Sequence, residues 1–340
     1  MIVMKQADQR IEWIDNAKGI GLLLVILGHL KAPFLSAWIY TFHMPLFFFL
    51  SGVVFSSGKY KPRKFILKRI NSLVVPYFVL GAVIFLFYVI VFLIQHQPTS
   101  EYLIMLKEFL LQRHYWTIWF LAALFFTEII YFAIDYLLSD RIVPVTIVSI
   151  LFAVIGFVYY RLDGKGLPWN IDIAFVAQLF FHMGHMFKRS RKYQDLLFFN
   201  YRWVCVSVLL LLITINIVCA KLCIKYSGQS IDMSIGLYGN EVLTVFSALA
   251  AILATCIISN KIHWDALSWL GKNTMVIFSW HSRIGIVALD FFCGWLGWFC
   301  LDTHFVQLAR AIVYFSVLLI VFTLLTIAIK KTKYHRLFGL

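Results

Sequence analysis

The sequence predicts an all-α polytopic membrane protein of about ten transmembrane helices, with both termini in the cytoplasm. Three observations carry this. Of 340 residues, 62% are hydrophobic and only 14% charged, with a mean hydropathy of +0.86, which leaves too little polar residue to cover a soluble fold. The apolar residues come in long unbroken runs rather than in alternating segments, which favours helices over a membrane barrel. The chain carries 30 Lys and Arg against 16 Asp and Glu, and most of these cations fall in segments that alternating topology places on one side. Such an excess is the positive-inside bias, so the net charge of +14 reports topology and not a nucleic-acid partner.

The spans are expected near 16–35, 38–57, 73–95, 117–138, 142–160, 171–187, 203–224, 238–259, 273–298 and 306–329. The first follows a polar stretch without a small-residue cleavage site, so it is expected to stay as a helix. A basic inner loop at 57–72 joins spans 2 and 3, and polar outer loops are expected at 96–116 and 225–237. Span 9 is irregular, because His281 and Arg283 lie inside it and Gly294 and Gly297 break its end. The loops are short, which predicts a single membrane domain over 1–340 and no soluble one. No internal repeat is visible, which weighs against an inverted-repeat transporter. The six cysteines fall almost entirely in apolar runs and read as small buried hydrophobes.

The most informative residues lie in span 1. Lys18 and His29 are eleven residues apart, about 100° per residue, so they share one face about 16 Å apart along the axis. Asp15 falls on the same face, about 40° away. Ionisable groups in a membrane helix are costly and usually line a cavity or pathway, which makes this stripe a candidate site. Span 2 opens with Thr41-Phe42-His43-Met44-Pro45 and continues to Ser51-Gly52. His43 is a candidate second acid–base or acceptor-binding group, and Ser51-Gly52 is a small patch where another helix can approach. His281 is the other deep histidine, and Trp119 opens span 4. The cations from Lys59 to Arg69 form a cluster suited to an anionic headgroup or a phosphorylated ligand. His182 and His185 are spaced i, i+3, but no third ligand is spaced to complete a metal site. No metal or permanently bound cofactor is expected.

Taken in order, these motifs resemble membrane acyltransferase family 3, the inner-membrane O-acyltransferases, with the opening segment similar to the fucose 4-O-acetylase-like members. The resemblance covers most of the chain. It rests on Asp15-x2-Lys18-x10-His29, on Phe42-His43-Met44-Pro45 through Ser51-Gly52, and on Lys68-Arg69-x3-Leu73-x2-Pro76-Tyr77. It continues through Trp119-Phe120-Leu121 and Leu270-Gly271-x2-Thr274-Met275 to His281. The family's Arg-x-x-Arg appears here as Arg69-Ile70-Asn71-Ser72, so the second arginine is missing, and Lys68 or Arg63 is the candidate substitute. Some members carry a fused extracytoplasmic hydrolase-like domain that this chain does not show, and the membrane domain is then expected to handle the acceptor.

The resemblance implies transfer of an acyl group, usually acetyl from cytoplasmic acetyl-CoA, to a hydroxyl of a cell-envelope glycan or lipid-linked sugar, in the bacterial inner (plasma) membrane. Lys18, Arg63, Lys68 and Arg69 would hold the donor's phosphates, and the pantetheine arm would reach His29 three turns higher. His29 would serve as general base, with an acyl-histidine intermediate as the alternative. His43, His281 and Trp119 would face the acceptor, and Asp15 is expected to pair with Lys18. Trp119, Ser51 or backbone N–H groups are candidate oxyanion donors. The competing reading from another class is a transporter or flippase for a lipid-linked glycan.

Overall fold

The computed structural model describes residues 12–30, 33–56, 58, 60–112, 116–163, 165–190, 201–228, 230–298 and 304–340. Lys59 of the predicted cation cluster and Cys300 lie outside the described residues. The chain runs as α1 (Glu12–Gly28), α2 (Pro33–Tyr40), α3 (His43–Val54), α4 (Pro62–Arg69), α5 (Val75–Ile94), α6 (Thr99–Leu111) and α7 (Trp119–Leu137). It continues as α8 (Ile142–Asp163), α9 (Ile171–Arg189), α10 (Arg202–Ser227), α11 (Glu241–Lys261), α12 (Asp265–Lys272), α13 (Thr274–Trp280), α14 (Val287–Trp295) and α15 (His304–Lys330). The protein is a multi-pass membrane protein. Eight helical stretches among the described residues are long and apolar enough to cross a membrane. The other two predicted spans are α1 and α9; both are helical, and each buries a large part of its surface, including Asp15, Asn16, Asp172 and Gln178.

Burial sorts the helices into a core and a periphery. About 60 to 70% of the α2–α3, α7 and α11 stretches is buried, against 17 to 22% for α5, α8, α10 and α15. Leu86, Leu151, Leu210 and Leu324 are more than half exposed on these outer helices. A helix that is apolar all round but poorly buried finds its remaining contacts in lipid.

Helices α3 and α9 approach each other closely on both sides of their contact. A Cβ added to Gly52 would lie 1.9 Å from the Phe181 carbonyl oxygen, and one added to Gly184 would lie 1.9 Å from that of Phe49. The two backbones therefore touch through glycines, as membrane helices do where dispersion and not hydrophobicity drives association. The same device joins α1 to α12, where a Cβ on Gly271 would meet the Asp15 carbonyl oxygen at 1.7 Å. Asn16, buried on α1, donates to the carbonyls of Ser259 at 3.3 Å and Ile262 at 2.6 Å. It satisfies acceptors that the end of α11 leaves without intrahelical partners.

Four sequence expectations need correction. The segment 57–72 is not a loop throughout: α4 carries its cations and passes through a π-helical turn, Ile70–Val74, into α5. Pro76 follows that turn and cannot donate a backbone hydrogen bond, which locally loosens the ladder. The outer loop 96–116 contains a three-turn helix, α6. Span 2 is divided by a turn at Thr41-Phe42 into α2 and α3. Span 9 breaks earlier than its late glycines suggest, in a π-helical turn at His281–Ile286. Gly285 lies in that turn, where a Cβ would approach Leu318 of α15 to 2.3 Å.

Candidate active site

Three histidines from three different helix ends converge. His29 follows the last turn of α1, and its Nδ1 lies 2.8 Å from the Val25 carbonyl oxygen. His43 opens α3 with its Nδ1 2.9 Å from the Ile39 oxygen. His281 opens the π-helical turn, with Nδ1 3.0 Å from Ile277 oxygen and 2.8 Å from Phe278 oxygen. A carbonyl only accepts, so in each ring Nδ1 carries the proton and Nε2 keeps its lone pair. His281 Nε2 lies 3.3 Å from His29 Nδ1 and takes a share of that proton. The His29 and His281 rings meet edge-on at 4.8 Å between centroids.

The histidines line one cavity of about 490 Å³ together with Tyr40, Trp119 and Arg283. The Tyr40 ring stands 5.8 Å from His29 and 5.0 Å from His43, centroid to centroid. Asp232 and Ser234, from the segment between α10 and α11, complete the wall. That segment is held in a tight reversal. The Asp232 N–H donates to the Leu237 oxygen at 2.8 Å and the Leu237 N–H donates back at 2.9 Å, while Ser234 donates its N–H and hydroxyl to Asp232 Oδ1 at 2.9 and 2.6 Å. His43 and His281 are only 3% and 1% exposed, so the cavity supplies the open side of buried imidazoles.

The structure thus brings together His29, His43, His281 and Trp119. It places Asp15, Lys18, Arg63, Lys68 and Arg69 away from that cavity. Asp15, on α1, lies 3.9 Å from Lys272 Nζ of α12. Arg69 Nε pairs with Glu128 of α7 at 2.5 Å, with side chains 19% and 5% exposed. Lys18 and Lys68 are within electrostatic reach of the same carboxylate, and Lys68 donates to the Tyr60 hydroxyl at 2.7 Å. Arg63 is exposed. Ser51 donates to the Phe47 oxygen of its own helix at 2.8 Å and does not line the cavity. Asp290, which the sequence sets seven residues after Arg283, accepts from the Tyr314 hydroxyl at 3.0 Å.

Sequence reasoning missed Tyr40, Asp232, Ser234 and Glu128. Glu128 carried a usable signal, an ionisable group in the middle of an apolar span. Asp232 and Ser234 carried none, since only the folded chain brings a loop two hundred residues away to His29, and Tyr40 is an ordinary tyrosine three residues before His43. Arg69→Ala would leave Glu128 without its closest counter-charge, and breaking such a pair costs about 3–5 kcal/mol. The expected result is a lower melting temperature in detergent for Arg69→Ala, partly restored in Arg69→Ala/Glu128→Gln. A double variant no more stable than the single one would show that the pair does not hold the helices.

His182 and His185 form a separate buried cluster. Both Nδ1 atoms lie 2.9 Å from the Tyr131 hydroxyl, and His182 Nε2 lies 2.9 Å from Thr146 Oγ1. Among the described residues no group of three or more His, Cys, Asp or Glu side chains is arranged to hold a metal ion.

The sequence model of a family described as an acyltransferase domain matches residues 11–331. No curated protein and no solved structure matches the chain.

Proposed function

The chain belongs to membrane acyltransferase family 3, and from that premise we propose that it is an O-acyltransferase that moves acetyl from acetyl-CoA to a hydroxyl of a cell-envelope glycan or lipid-linked sugar. His29 is its general base, and the bacterial inner membrane is its location. The observation that carries this reading is the fixed tautomer of His29, whose Nδ1–H is spent on the Val25 carbonyl. Its basic Nε2 is therefore available beside the cavity.

In this reading the acceptor hydroxyl stands within hydrogen-bond reach of His29 Nε2. Its oxygen attacks the thioester carbonyl carbon while its proton passes to Nε2. The new C–O bond forms, the C–S bond breaks, and the CoA thiolate recovers the proton from the imidazolium. Ester and free thiol leave, and His29 returns to its starting state. The Val25 carbonyl steadies the transient imidazolium, and His281 fixes the ring from the side. Arg283, on the cavity wall, is the candidate to stabilise the oxyanion.

The donor's phosphates would bind at the basic end, at Lys18, Arg63 and Lys68 with Arg69 beside them. That end is the cytoplasmic one under the positive-inside rule. From there the pantetheine arm has to climb about three helical turns, roughly 16 Å, to His29.

The test is transfer of label from radiolabelled acetyl-CoA in membrane vesicles. The expected result is label in glycan, with equimolar CoA release, in vesicles containing the protein and not in control vesicles. Neither label transfer nor CoA release with a complete envelope fraction present would overturn the assignment of donor and acceptor.

A further inference from the structure

Helix α6 is amphipathic in an unusual sense. Glu101, Met105 and Glu108, at i, i+4 and i+7, share one face, with Ile104 at its edge, while Leu103, Leu106 and Leu110 lie on the other. Met105 and Phe109 are buried, whereas those three leucines are 38 to 63% exposed. The helix thus turns its carboxylates toward the protein and its leucines away from it. Neither carboxylate makes a hydrogen bond or ion pair among the described residues. Both are half-buried, and both line a cleft of about 140 Å³ against α5. Burial raises the Glu108 carboxyl above the usual range, opposed by Arg283 and reinforced by Glu101.

The cleft adjoins the histidine cavity, and Tyr88, Trp116 and Arg283 line both. Phe92 adds a further aromatic wall. Tyr77 of α5 donates to the Phe109 oxygen at 2.5 Å, and Trp116 stands 5.3 Å from Phe109, centroid to centroid, so the cleft walls are fixed to one another. His43 independently points to a ligand: it is 3% exposed, lines the adjoining cavity and has no partner on Nε2 among the described residues. Among the described residues that line the two cavities, Glu101, Glu108, Asp232 and Asp290 stand against the single cation Arg283.

We propose that the α5–α6 cleft is the acceptor subsite, where a neutral sugar ring lies against Tyr88 and Trp116 with its hydroxyls donated to Glu101 and Glu108. The proposal rests on the O-acyltransferase reading and narrows it. Aromatic faces match the C–H face of a sugar ring, and an ionised carboxylate accepts from two neighbouring hydroxyls at once. The surplus of carboxylates repels uronic acids and phosphorylated sugars, so the residue modified is uncharged. Ionisable groups kept inside an otherwise lipid-facing helix are explained when they line a path that polar substrate uses.

The test reads binding without acetyl-CoA, by saturation-transfer NMR on the full chain in lipid nanodiscs. The probes are neutral methyl glycosides (gluco, galacto, manno, fuco and N-acetylglucosamine) and the methyl glycosides of glucuronic and galacturonic acid. At least one neutral glycoside should bind, with the uronides about tenfold weaker or absent. Glu101→Gln/Glu108→Gln should weaken that binding about tenfold, the loss expected for removing charged acceptors. Leu103→Ala, on the outward face, should leave it unchanged. If the double variant melts early, Glu108→Gln alone and Trp116→Phe take its place. The subsite is overturned if no neutral glycoside binds, if uronides bind as well, or if the carboxylate variants bind like wild type. Carboxylate-dependent binding with no acetyl transfer would sink the acyltransfer reading and leave the subsite standing; acetyl transfer with an acceptor KM unchanged by these variants would do the reverse.

Discussion

His29→Ala is expected to lower acyl transfer by about 10²–10⁴-fold, the usual loss when a positioned general base is removed. The size follows from geometry. The ring is fixed by the Val25 carbonyl and by His281, so no mobile group takes over proton removal at the same place. His281→Ala should cost less, about tenfold in kcat, because it removes a positioning contact and leaves Nε2 of His29 intact. The measurement is initial rate in vesicles at matched protein level, with the melting temperature of each variant recorded in detergent. His29→Ala with wild-type turnover would transfer the base role to His43 or His281. A trapped acyl-enzyme in wild type that is absent from His29→Ala would replace base catalysis by a covalent acyl-histidine.

Gly52→Val and Gly184→Val should each destabilise the protein by about 3 kcal/mol or more, at the upper end of overpacking effects. In both cases the added Cβ would stand 1.9 Å from a backbone carbonyl oxygen of the opposing helix. A backbone atom cannot rotate aside as a side chain does, so α3 and α9 must separate. Separation also displaces His43, which opens α3, so activity should fall with stability. Gly294→Ala is the control: nothing stands within 4 Å of its Cβ position, and a helical alanine is favoured over glycine by up to about 1 kcal/mol. Thermal unfolding followed by tryptophan fluorescence checks all three. A Gly52→Val protein that melts with wild type would mean that the two backbones do not touch as described.

The value of particular residues in the sequence depended on how local their signal was. Lys18 and His29 sit on one helix, so their shared face followed from helical period alone, and Ser51-Gly52 announced a close helix contact through its small side chains. His281 was visible as a titratable group in an apolar run. The same rule applied to Glu128 would have found the partner of Arg69. Asp232 and Ser234 had no such signal, since each is an ordinary residue until a distant segment is laid beside it, and Tyr40 gained meaning only from its ring contacts with His29 and His43. The face of α6 was readable as a pattern of Glu and Leu, but not its direction, because a helix with charges inward and leucines outward reads in sequence like one inserted the other way.

By itself, then, the sequence determined the membrane environment and the helical class, and it singled out Lys18 and His29 as candidates about three helical turns apart. These follow from hydropathy, from the need to satisfy backbone hydrogen bonds in lipid and from a period of 3.6 residues. Only the tertiary structure decided that His29, His43 and His281 share a cavity while Lys18, Lys68 and Arg69 stand elsewhere, near Glu128. It also decided that α4 and α6 are helices within segments that composition marks as loops. The physical reason is that convergence of helix ends is set by which backbones can approach. Here that depends on glycines pairing with carbonyls far away in the chain, a relation between positions that no local pattern contains.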